Sequence, residues 1–550
     1  MRPIDLAIKH WTRILGPDHV ILDERPLRKA ATATFAINHS IPVIIRPGSR
    51  QQVQQCVRIA QVEGVPIYPV SSGKNWGYGS SVPAQDGCAL LDLIRLNRIL
   101  DFNEKMGHVT VEPGVTQQQL HAFLAERKSS LWMDSTGASP ECSLIGNTME
   151  RGFGHTPYGD HFNHVCGLEV VLPTGECIQT GFARFSNAKT AHLYRWGLGP
   201  NVDGIFSQSN LGIVTRMTIW LMPAPEYFQA FFFRCDSNDS LEHVVEALRP
   251  LRLHGVIRSA VHIGNDYKVL SGLRQFPWEA TGGRTPLQPS RMTALRQEYR
   301  IGSWSGSGGL YGSPGQVKEA RKLIRKALAG KVSKLQFIDD RLLRLASRYA
   351  GLYGLITGWD LGASLELLKP VYGLMKGIPT NQPLRSSYWR KRTPPPAQMD
   401  PDRDGCGLLW CSPILPMDGA PVKEVTKLVS ATLLQHGFEP QISLSLVTDR
   451  AVACVISICY DRSVPGEDER ASACHRSLLE ALADQGYPSY RLGIQSMTEV
   501  DGEAGYHNLI RSLKKALDPA HVLSPGRYHA AIIPLTDGTE IVRQGVPIST

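Results

Sequence analysis

PVSSGKNWGYGSSVP, residues 69–83, is the most informative stretch of the chain, and it follows the strand-like sequence VPIYPV. Its small and turn-forming residues surround single Lys, Asn, Trp and Tyr side chains. Glycine lets a backbone approach a ligand closely and turn its N–H groups inward, as binding a pyrophosphate through main-chain donors requires. The stretch matches neither the G-x-x-x-x-G-K-[ST] motif nor G-x-G-x-x-G, so neither a Walker site nor a Rossmann fingerprint is indicated. The residues alone leave two interpretations open, a phosphate-binding loop and a structural turn.

Two further segments add to this signal. GNTMERGFGHTPYGDH at residues 146–161 is again dense in glycine, and few of its side chains are large enough to block a flat ligand. DGIFSQSNLGIVT at residues 203–215 is a turn that leads into a strand. Three such segments along one part of the chain would line an extended cleft, and an elongated cofactor fits such a cleft better than a small metabolite does.

Outward from these segments, short β-branched runs alternate with turns between residues 41 and 218. Ser49–Gly64 places apolar residues at helical spacing after a serine suited to cap a helix. The alternation predicts an α+β fold with a mixed sheet. After Pro223–Tyr227 the style of the sequence changes, and the spacing predicts longer helices at Leu241–Leu251, Gln316–Ala329 and Val422–His436. Within this second region, the stretch Pro394–Asp404 (PPPAQMDPDRD) predicts a surface loop.

The composition excludes several classes of protein. The 550 residues are 42% hydrophobic and 20% charged, which is ordinary for a globular chain, so disorder, collagen and coiled coil are not expected. The formal charge of +9 is spread along the chain without any block of like charges. A nucleic-acid-binding protein would gather that charge on one face, so nucleic acid is not an expected partner.

The longest apolar stretches also argue against a membrane segment. Val165–Pro173 and Ile213–Pro223 are interrupted by polar residues and fall far short of the ~20 residues that span a bilayer. Near the N-terminus, Asp5 and Lys9 interrupt the apolar run that a secretory signal needs. We therefore expect a cytoplasmic protein. Its 11 cysteines form no C-x-x-C pair, so we expect reduced thiols and no metal site.

The glycine-rich segments carry a resemblance to a known family. Together with VEPGVT, GLEVVLPTGE, WGLGP and WLMPAP, they resemble the FAD-binding domain of the vanillyl-alcohol oxidase / p-cresol methylhydroxylase flavoproteins. The resemblance is dense from about Ile41 to Pro225, thins in the second region, and returns at Gly486–Arg491 and Asp518–Arg527. It implies a two-domain FAD-binding fold in which a cap domain covers the isoalloxazine ring. We expect an FAD-binding domain at residues 1–225, a cap or substrate domain at 226–499, and a C-terminal return to the FAD-binding domain at 500–550.

The resemblance also implies roles for individual residues. In the loop expected around the FAD pyrophosphate these are Ser71, Gly73, Lys74, Asn75, Gly77 and Gly79. Beside the flavin they are Glu150, Arg151, Gly152, Gly154, Asp160 and Ile213, with Arg527 near the cofactor. Tyr78 and Tyr490 match two tyrosines that hold a substrate's phenolate oxygen in phenol-oxidising relatives, with Arg491 beside Tyr490. A guanidinium and two O–H donors would stabilise negative charge as hydride leaves the benzylic carbon.

The sequence departs from the family at the positions that attach the flavin covalently. Leu408 stands where the oxidase branch has its flavin-linked histidine, and leucine cannot form that bond. Tyr388 lies one place later than the tyrosine that forms the link in the cresol dehydrogenase branch, so a register shift would be needed for it to serve. Asn75 stands near where other subfamilies use a histidine. We expect noncovalent FAD and keep Tyr388 as a possible covalent link.

The region of the catalytic base departs as well. Ala453 and Cys454 stand where cresol-type relatives carry paired histidines, and Gly137–Ser139 replaces an acidic residue of the oxidase branch. Smaller residues also enlarge the cavity, which indicates a bulkier substrate. Four histidines are alternative bases by residue type, although each also suits a structural role: His155, His161, His164 and His262.

The resemblance implies an enzyme that removes hydride from an activated benzylic or carbinol carbon of an aromatic, para-phenolic substrate through a quinone-methide-like intermediate. An alternative is FAD-dependent oxidative cyclisation or coupling of a bulkier, natural-product-like molecule. The residues leave open whether electrons pass to dioxygen or to an acceptor such as a cytochrome. We also expect a homo-oligomer, such as a dimer.

Overall fold

The structure is a computed structural model that describes residues 2–357, 361–499 and 504–528. Its strands are β1 (Val20–Ile21), β2 (Ile44–Ile45), β3 (Ile67–Val70), β4 (Ala89–Asp92), β5 (Ile99–Asn103), β6 (His108–Val111), β7 (Leu131–Trp132), β8 (Val165–Val171), β9 (Cys177–Gln179), β10 (Ile213–Trp220), β11 (Met222–Pro223), β12 (Tyr227–Cys235), β13 (Val261–Asn265), β14 (Trp304–Gly312), β15 (Lys334–Ile338), β16 (Cys406–Cys411), β17 (Ile414–Pro416), β18 (Gln441–Leu446) and β19 (Ala451–Asp461).

Helices surround these strands. They are α1 (Pro3–Leu15), α2 (Glu24–Ala30), α3 (Arg50–Glu63), α4 (Gln117–Glu126), α5 (Leu144–Met149), α6 (Ser240–Leu253), α7 (Asp266–Leu273), α8 (Trp278–Thr281), α9 (Pro289–Tyr299), α10 (Pro314–Leu328), α11 (Asp340–Thr357), α12 (Leu361–Leu374), α13 (Gly419–Gln435), α14 (Glu467–Asp484) and α15 (Ala504–Leu517). The 3₁₀ helices span Pro17–His19, Phe162–His164, Gly181–Arg184, Asp203–Phe206, Gln382–Tyr388 and Ile494–Glu499.

The amino-terminal part contains three sheets. The first has the order β1-β2-β4-β3, with β1 antiparallel to β2 and the other pairs parallel. α3 packs beside this sheet and begins where the sequence predicts, because Ser49 caps it by accepting a hydrogen bond from the Gln52 N–H at 3.2 Å. The second sheet is antiparallel in the order β5-β6-β10-β8-β9, and β11 pairs with β7 in a small third sheet.

The carboxy-terminal segment returns to the first sheet. The Ile67 N–H donates to the Val522 carbonyl and the Ser524 N–H donates to the Ile67 carbonyl, both at 2.8 Å. Behind this contact, Lys514 and Asp518 form an ion pair at 2.6 Å, with both side chains buried. The described part of the predicted C-terminal segment, residues 504–528, therefore contacts the amino-terminal sheets, while residues 500–503 and 529–550 lie outside the described residues.

The second region, beyond Tyr227, is built on one large antiparallel sheet in the order β15-β12-β14-β13-β18-β19-β16, with β17 paired to β19. Because side chains alternate across a strand, its two faces differ. Ile263, Leu444 and Ile456 are buried in the apolar core under helices such as α13 and α14. We call this strand assembly the cap sheet. The sheets change between Pro223 and Tyr227, and the predicted domain boundary at residue 225 lies in that connection.

The cap sheet is hydrogen-bonded directly to the amino-terminal part. The Leu408 N–H donates to the Thr34 carbonyl and the Thr34 hydroxyl donates to the Leu408 carbonyl, each at 2.8 Å. The Gly77 N–H in turn donates to the Thr34 hydroxyl at 3.0 Å. These buried bonds hold β16 against the glycine-rich loop of residues 69–83.

Across the part of the chain that the structure describes, no helix combines the length and the apolar character needed to cross a lipid bilayer. The 11 cysteines are free, and all except Cys177 are buried.

Candidate active site

A cavity of about 380 Å³ lies between the glycine-rich loop and the cap sheet. Its amino-terminal walls are the loop, α5 with the residues after it, and the start of β10. The opposite wall is the face of the cap sheet that carries His262, Ser443, Ser445 and Val455. These four share a face because His262 pairs with Ser445 and Ser443 pairs with Val455 across neighbouring strands.

The glycine-rich loop approaches α5 closely. Gly73 has a φ of +65°, in the region that favours glycine. A Cβ on Gly146 would lie 2.5 Å from the Ser71 Oγ, so a side chain there would displace the loop. Lys74 is already neutralised, because its Nζ lies 3.2 Å from Asp400 and 3.3 Å from Glu141. Burial opposes the charge of Lys74, but these two carboxylates outweigh burial and raise its pKa.

The surface loop predicted at Pro394–Asp404 is anchored to this wall. Besides the contact of Asp400 with Lys74, Asp402 accepts hydrogen bonds from the Trp76 Nε1–H at 3.0 Å and from the Ser80 hydroxyl at 2.8 Å. The Pro394–Asp404 loop therefore holds the glycine-rich loop in place from the side facing away from the cavity.

A buried carboxylate, Glu150, lies between two arginines. Its Oε2 is 3.3 Å from the Arg491 Nε and accepts a hydrogen bond from the Tyr528 hydroxyl at 3.2 Å, while Oε1 pairs with Arg527. Arg527 also donates to the Tyr68 hydroxyl at 2.8 Å. Two guanidinium groups against one carboxylate leave a net positive charge beside the cavity, which suits an anionic ligand.

Two tyrosines lie next to this positive charge. The Tyr78 and Ser412 hydroxyls are 2.7 Å apart, and the Arg491 guanidinium lies 4.3 Å from the Tyr78 ring centroid and donates to the Asn75 Oδ1. Burial raises the pKa of Tyr78 and of Tyr490, with Arg491 opposing the rise in both. Both phenols therefore keep their protons at neutral pH and are available as hydrogen-bond donors.

A pair of histidines occupies the wall near Tyr490. The ring centroids of His155 and His262 are 4.2 Å apart, and Phe153 lies between His262 and Tyr490, with centroids at 6.5 and 6.2 Å from them. The His262 Nδ1 is 2.9 Å from the Ser445 Oγ. Burial lowers the pKa of both histidines, so they are neutral at pH 7.

The other two candidate bases lie outside the cavity wall. His161 bridges Asp134 and Asn147, at 2.6 Å from each. His164 stacks on Tyr158 at a centroid distance of 4.0 Å. Both have the structural role that the sequence left open for them.

Comparisons with known proteins agree with this geometry. Residues 41–181 match the family model of the FAD binding domain. The chain is 46% identical to the 1'-carboxy-chondrochloren decarboxylase of Chondromyces crocatus, over 96% of this chain and 97% of the relative. It is 30% identical to the 4-cresol dehydrogenase [hydroxylating] flavoprotein subunit of Pseudomonas putida, over 95% of this chain and 94% of that protein.

The chain belongs to the vanillyl-alcohol oxidase / p-cresol methylhydroxylase family. Its fold matches the crystal structure of p-cresol methylhydroxylase with substrate bound at a TM-score of 0.86, with 28% identity over 96% of this chain and 97% of that one. The chain is thus an FAD-dependent oxidoreductase of this family. The predicted family, the α+β two-domain FAD-binding fold and the FAD cofactor are confirmed.

The predicted site residues divide into two groups. Those that line the cavity are Ser71, Gly73, Lys74, Asn75, Tyr78, Glu150, Gly152, Ile213, Tyr490, Arg491 and Arg527. Those that do not are Gly77, Gly79, Arg151, Gly154, Asp160 and Tyr388.

Each member of the second group has a local contact that accounts for its position. Gly77 and Gly79 lie against Trp410 and Ile494, while a Cβ on Gly154 would overlap Asp134. The Arg151 Nε donates to the Ser207 hydroxyl at 3.0 Å, and Asp160 is exposed and accepts from the Asn163 N–H.

Tyr388 is directed away from the cavity. Its hydroxyl donates to Asp404 at 2.6 Å, and the side chain is buried. The cavity wall at this point consists instead of Ser386, Ser387 and Leu408. None of these is a histidine or a tyrosine, the residue types that form the covalent link in the two branches of the family. This arrangement favours the expectation of noncovalent FAD.

Sequence reasoning missed most of the cap wall. Lys268, Ser443, Ser445 and Val455 line the cavity, but no motif surrounds them. The alternation QISLSL at residues 441–446 was an available signal, because it places serines on one face of a strand and apolar residues on the other. Lys268 has no comparable signal.

Proposed function

We propose that this enzyme removes hydride from the benzylic carbon of a para-phenolic substrate larger than cresol, and that a carboxylate on the adjacent carbon then leaves as carbon dioxide. The observation that supports the first step most directly is the convergence of Tyr78, Tyr490 and Arg491 on one cavity. The relative that is 46% identical is a decarboxylase by name, which supports the second step.

In this proposal the phenol oxygen binds at the two tyrosines. Both keep their protons, so they donate hydrogen bonds to a phenolate rather than repel it. Arg491 lies over the Tyr78 ring and supplies the positive charge that favours the ionised phenol. An electron-rich phenolate in turn favours departure of hydride from the para-benzylic carbon.

FAD, when bound, accepts the hydride. The residues that we propose for holding it are those of its predicted set that line the cavity: Ser71, Gly73, Lys74, Asn75, Glu150, Gly152, Ile213 and Arg527. The residues fit this cofactor, because residues of the glycine-rich loop line the cavity and Glu150 leaves the paired arginines with one excess positive charge. The predicted set outside the wall, such as Gly77 and Gly154, would act by allowing these segments to pack closely.

The chemistry after hydride removal balances without water. Loss of hydride from the phenolate leaves a quinone methide. The electron pair of the bond to the carboxylate then forms a carbon–carbon double bond, restores the aromatic phenolate and releases carbon dioxide. No base is needed close to the electrophilic carbon, which agrees with Ala453 and Cys454 at the positions of the paired histidines.

Neutral His155 and His262 favour a second reaction, the addition of water to the quinone methide. The experiment must distinguish this reaction from decarboxylation. Either could accept a proton from water that attacks the quinone methide, which would give a hydroxylated product that keeps its carboxylate. The alternative predicted from the sequence, oxidative cyclisation or coupling of a bulky substrate, would also keep the carboxylate. The product therefore distinguishes the three reactions.

The test uses the FAD-loaded protein under anaerobic conditions with 3-(4-hydroxyphenyl)propanoate, its α-acylamino derivatives and simple 4-alkylphenols. We expect the carboxylated phenols to bleach the flavin absorbance and to yield 4-vinylphenols and one carbon dioxide per flavin reduced.

The Tyr490→Phe variant should reduce the flavin about 10- to 100-fold more slowly, because one hydrogen bond to the anion is lost. Bleaching without carbon dioxide would remove the decarboxylation step, and absence of bleaching by every phenol would overturn the proposal. Rapid mixing with dioxygen afterwards distinguishes an oxidase from a dehydrogenase that needs another acceptor.

A further inference from the structure

Among the residues that the structure describes, five charged side chains line the cavity, and one of them differs from the rest. Lys74 is paired with Asp400 and Glu141, while Arg491 and Arg527 share Glu150. Lys268 also lines the cavity, but no carboxylate of the described residues lies within ion-pair distance of its ammonium group. Its Nζ donates a hydrogen bond to the Ser386 hydroxyl at 3.1 Å.

The position of Lys268 follows from the cap sheet. Asn265 caps α7 by accepting a hydrogen bond from the Lys268 N–H at 3.0 Å, which places the lysine in the first turn of the helix, directly after β13. A Cβ on Gly264 would lie 3.6 Å from the Lys268 Cγ, so the lysine stem packs against the strand where a side chain is missing. Gly264 pairs with Ser443, whose side chain lines the cavity.

A continuous row of side chains runs along the cavity wall from Tyr490 through Phe153 to His262. His262 and Gly264 lie on the same side of β13, two residues apart, so the row leads on to the strand against which Lys268 packs. A phenol held at Tyr490 would therefore extend its para substituent towards the part of the wall that carries Lys268. Cresol has only a methyl group at the para position and therefore carries no anionic group for this part of the wall.

Lys268 is only partly exposed, and an ammonium group held away from bulk water without a counter-ion is costly, so proteins ordinarily pair such groups. Burial lowers the pKa of Lys268, and the nearby Cys459 thiol only partly offsets this effect. A bound anion would restore the favourable environment of the charge. Ser386 cannot serve as a further donor, because its hydroxyl already donates to the Pro383 carbonyl at 2.9 Å. The neighbouring Ser387 also lines the cavity, and a serine hydroxyl there suits an oxyanion.

We infer that Lys268 is the residue that binds the carboxylate of the substrate, and that this enzyme selects para-hydroxyphenyl compounds bearing an anionic group on the para substituent. The inference rests on the proposed function and deepens it by naming the residue that binds the carboxylate and so determines substrate specificity. Lys268 holds the carboxylate before the chemistry and so fixes which para-alkyl phenols are accepted. It takes no proton and forms no bond in the reaction.

The test compares Lys268→Met with Lys268→Arg and with Lys318→Met, a matched change of an exposed lysine on α10. Each FAD-loaded protein is given 3-(4-hydroxyphenyl)propanoate and its methyl ester, and flavin reduction is followed anaerobically. We expect Lys268→Met to raise the KM for the carboxylate about 10- to 100-fold, with little change for the ester, because a charged hydrogen bond is lost. Lys268→Arg should retain most of the preference, and Lys318→Met should match the wild type.

Equal effects on acid and ester, or no effect on either, would overturn the inference. So would an altered flavin spectrum or redox potential in Lys268→Met with an unchanged preference for the carboxylate, since the charge would then act on the cofactor. If Lys268→Met does not fold, the wild-type ratio of acid to ester and the Lys268→Arg variant still decide, since a ratio near one contradicts the inference.

A failure of the proposed function has a different signature. If no phenol bleaches the wild-type flavin, calorimetric titration of the oxidised holoprotein with the carboxylate still tests Lys268. Tighter binding to the wild type than to Lys268→Met would support the anion site, and equal binding would reject it.

Discussion

The two walls of the cavity are built in contrasting ways. The amino-terminal wall is a set of close backbone approaches, in which glycines such as Gly73 and Gly146 leave room for the neighbouring chain and for a cofactor. The cap wall is a set of side chains that project from a sheet, His262, Ser443 and Val455 among them. The first wall suits a cofactor that the whole family shares, and the second suits a substrate that differs between members. The ion pair of Glu150 with Arg491 lies at the junction of the two.

The largest effect is expected from a substitution at the junction of the two walls, where Arg491 lies. Replacing Arg491 by methionine removes the positive charge next to Tyr78 and leaves Glu150 paired with Arg527 alone. We expect kcat/KM for para-phenols to fall by about 10²- to 10³-fold, as when one donor to a developing anion is removed. Stopped-flow flavin reduction measures the effect, and Arg491→Lys should lose less. An Arg491→Met enzyme with normal kcat/KM would show that the phenolate binds elsewhere.

The contact between the walls can be broken at Gly77. Its φ of +77° is unfavourable for other residues, and a Cβ there would lie 3.1 Å from the Trp410 Cγ on β16. We expect Gly77→Ala to destabilise the protein by about 1–3 kcal/mol and to weaken FAD retention. Gly204→Ala is the matched control, since a Cβ at that position meets no atom within 4 Å and its φ is not positive. Equal melting temperatures for the two variants would mean that the close approach is unimportant.

Asp402, in the Pro394–Asp404 loop that anchors the glycine-rich loop, should make the stability of the protein depend on pH. Burial raises the pKa of Asp402 to about 7, and nearby Asp400 adds to the rise. The folded protein thus holds a proton that the unfolded chain releases, so this residue's contribution to stability is lost as pH rises from about 4 towards 7. Asp402→Asn should therefore melt a few degrees higher than the wild type at pH 8 and show little difference at pH 5. Scanning calorimetry at both values checks this, and an advantage at pH 5 alone would reverse the sign.

The smallest effect is expected at Tyr388. Its hydroxyl donates to Asp404, so Tyr388→Phe should lower stability by about 1 kcal/mol, the contribution of one hydrogen bond. Acid precipitation should release the flavin from wild type and variant alike. Flavin that stays in the wild-type pellet and leaves the variant would establish a covalent link through Tyr388.

Much of the amino-terminal wall is readable in the sequence, because a backbone that must approach a flat ligand leaves glycine in short, local stretches. Ser49 and the spacing after it likewise predict α3 from neighbouring residues alone. The cap wall is different, because its members come from distant strands. His262 and Ser445 are separated by more than a hundred residues, and only the register of β13 beside β18 places them together.

The sequence by itself determined the family, the α+β fold and FAD, since these depend on local motifs whose order is preserved along the chain. It also supplied Tyr78, Tyr490 and Arg491 as candidates for the phenol site. Only the tertiary structure decided that Tyr388 turns to Asp404, that two of the four histidines meet in the cavity, and that Lys268 lines it with no carboxylate of residues 2–357, 361–499 and 504–528 within ion-pair distance. Such facts depend on which side of a strand faces which neighbour, and that depends on cross-strand register and long-range packing rather than on nearby residues.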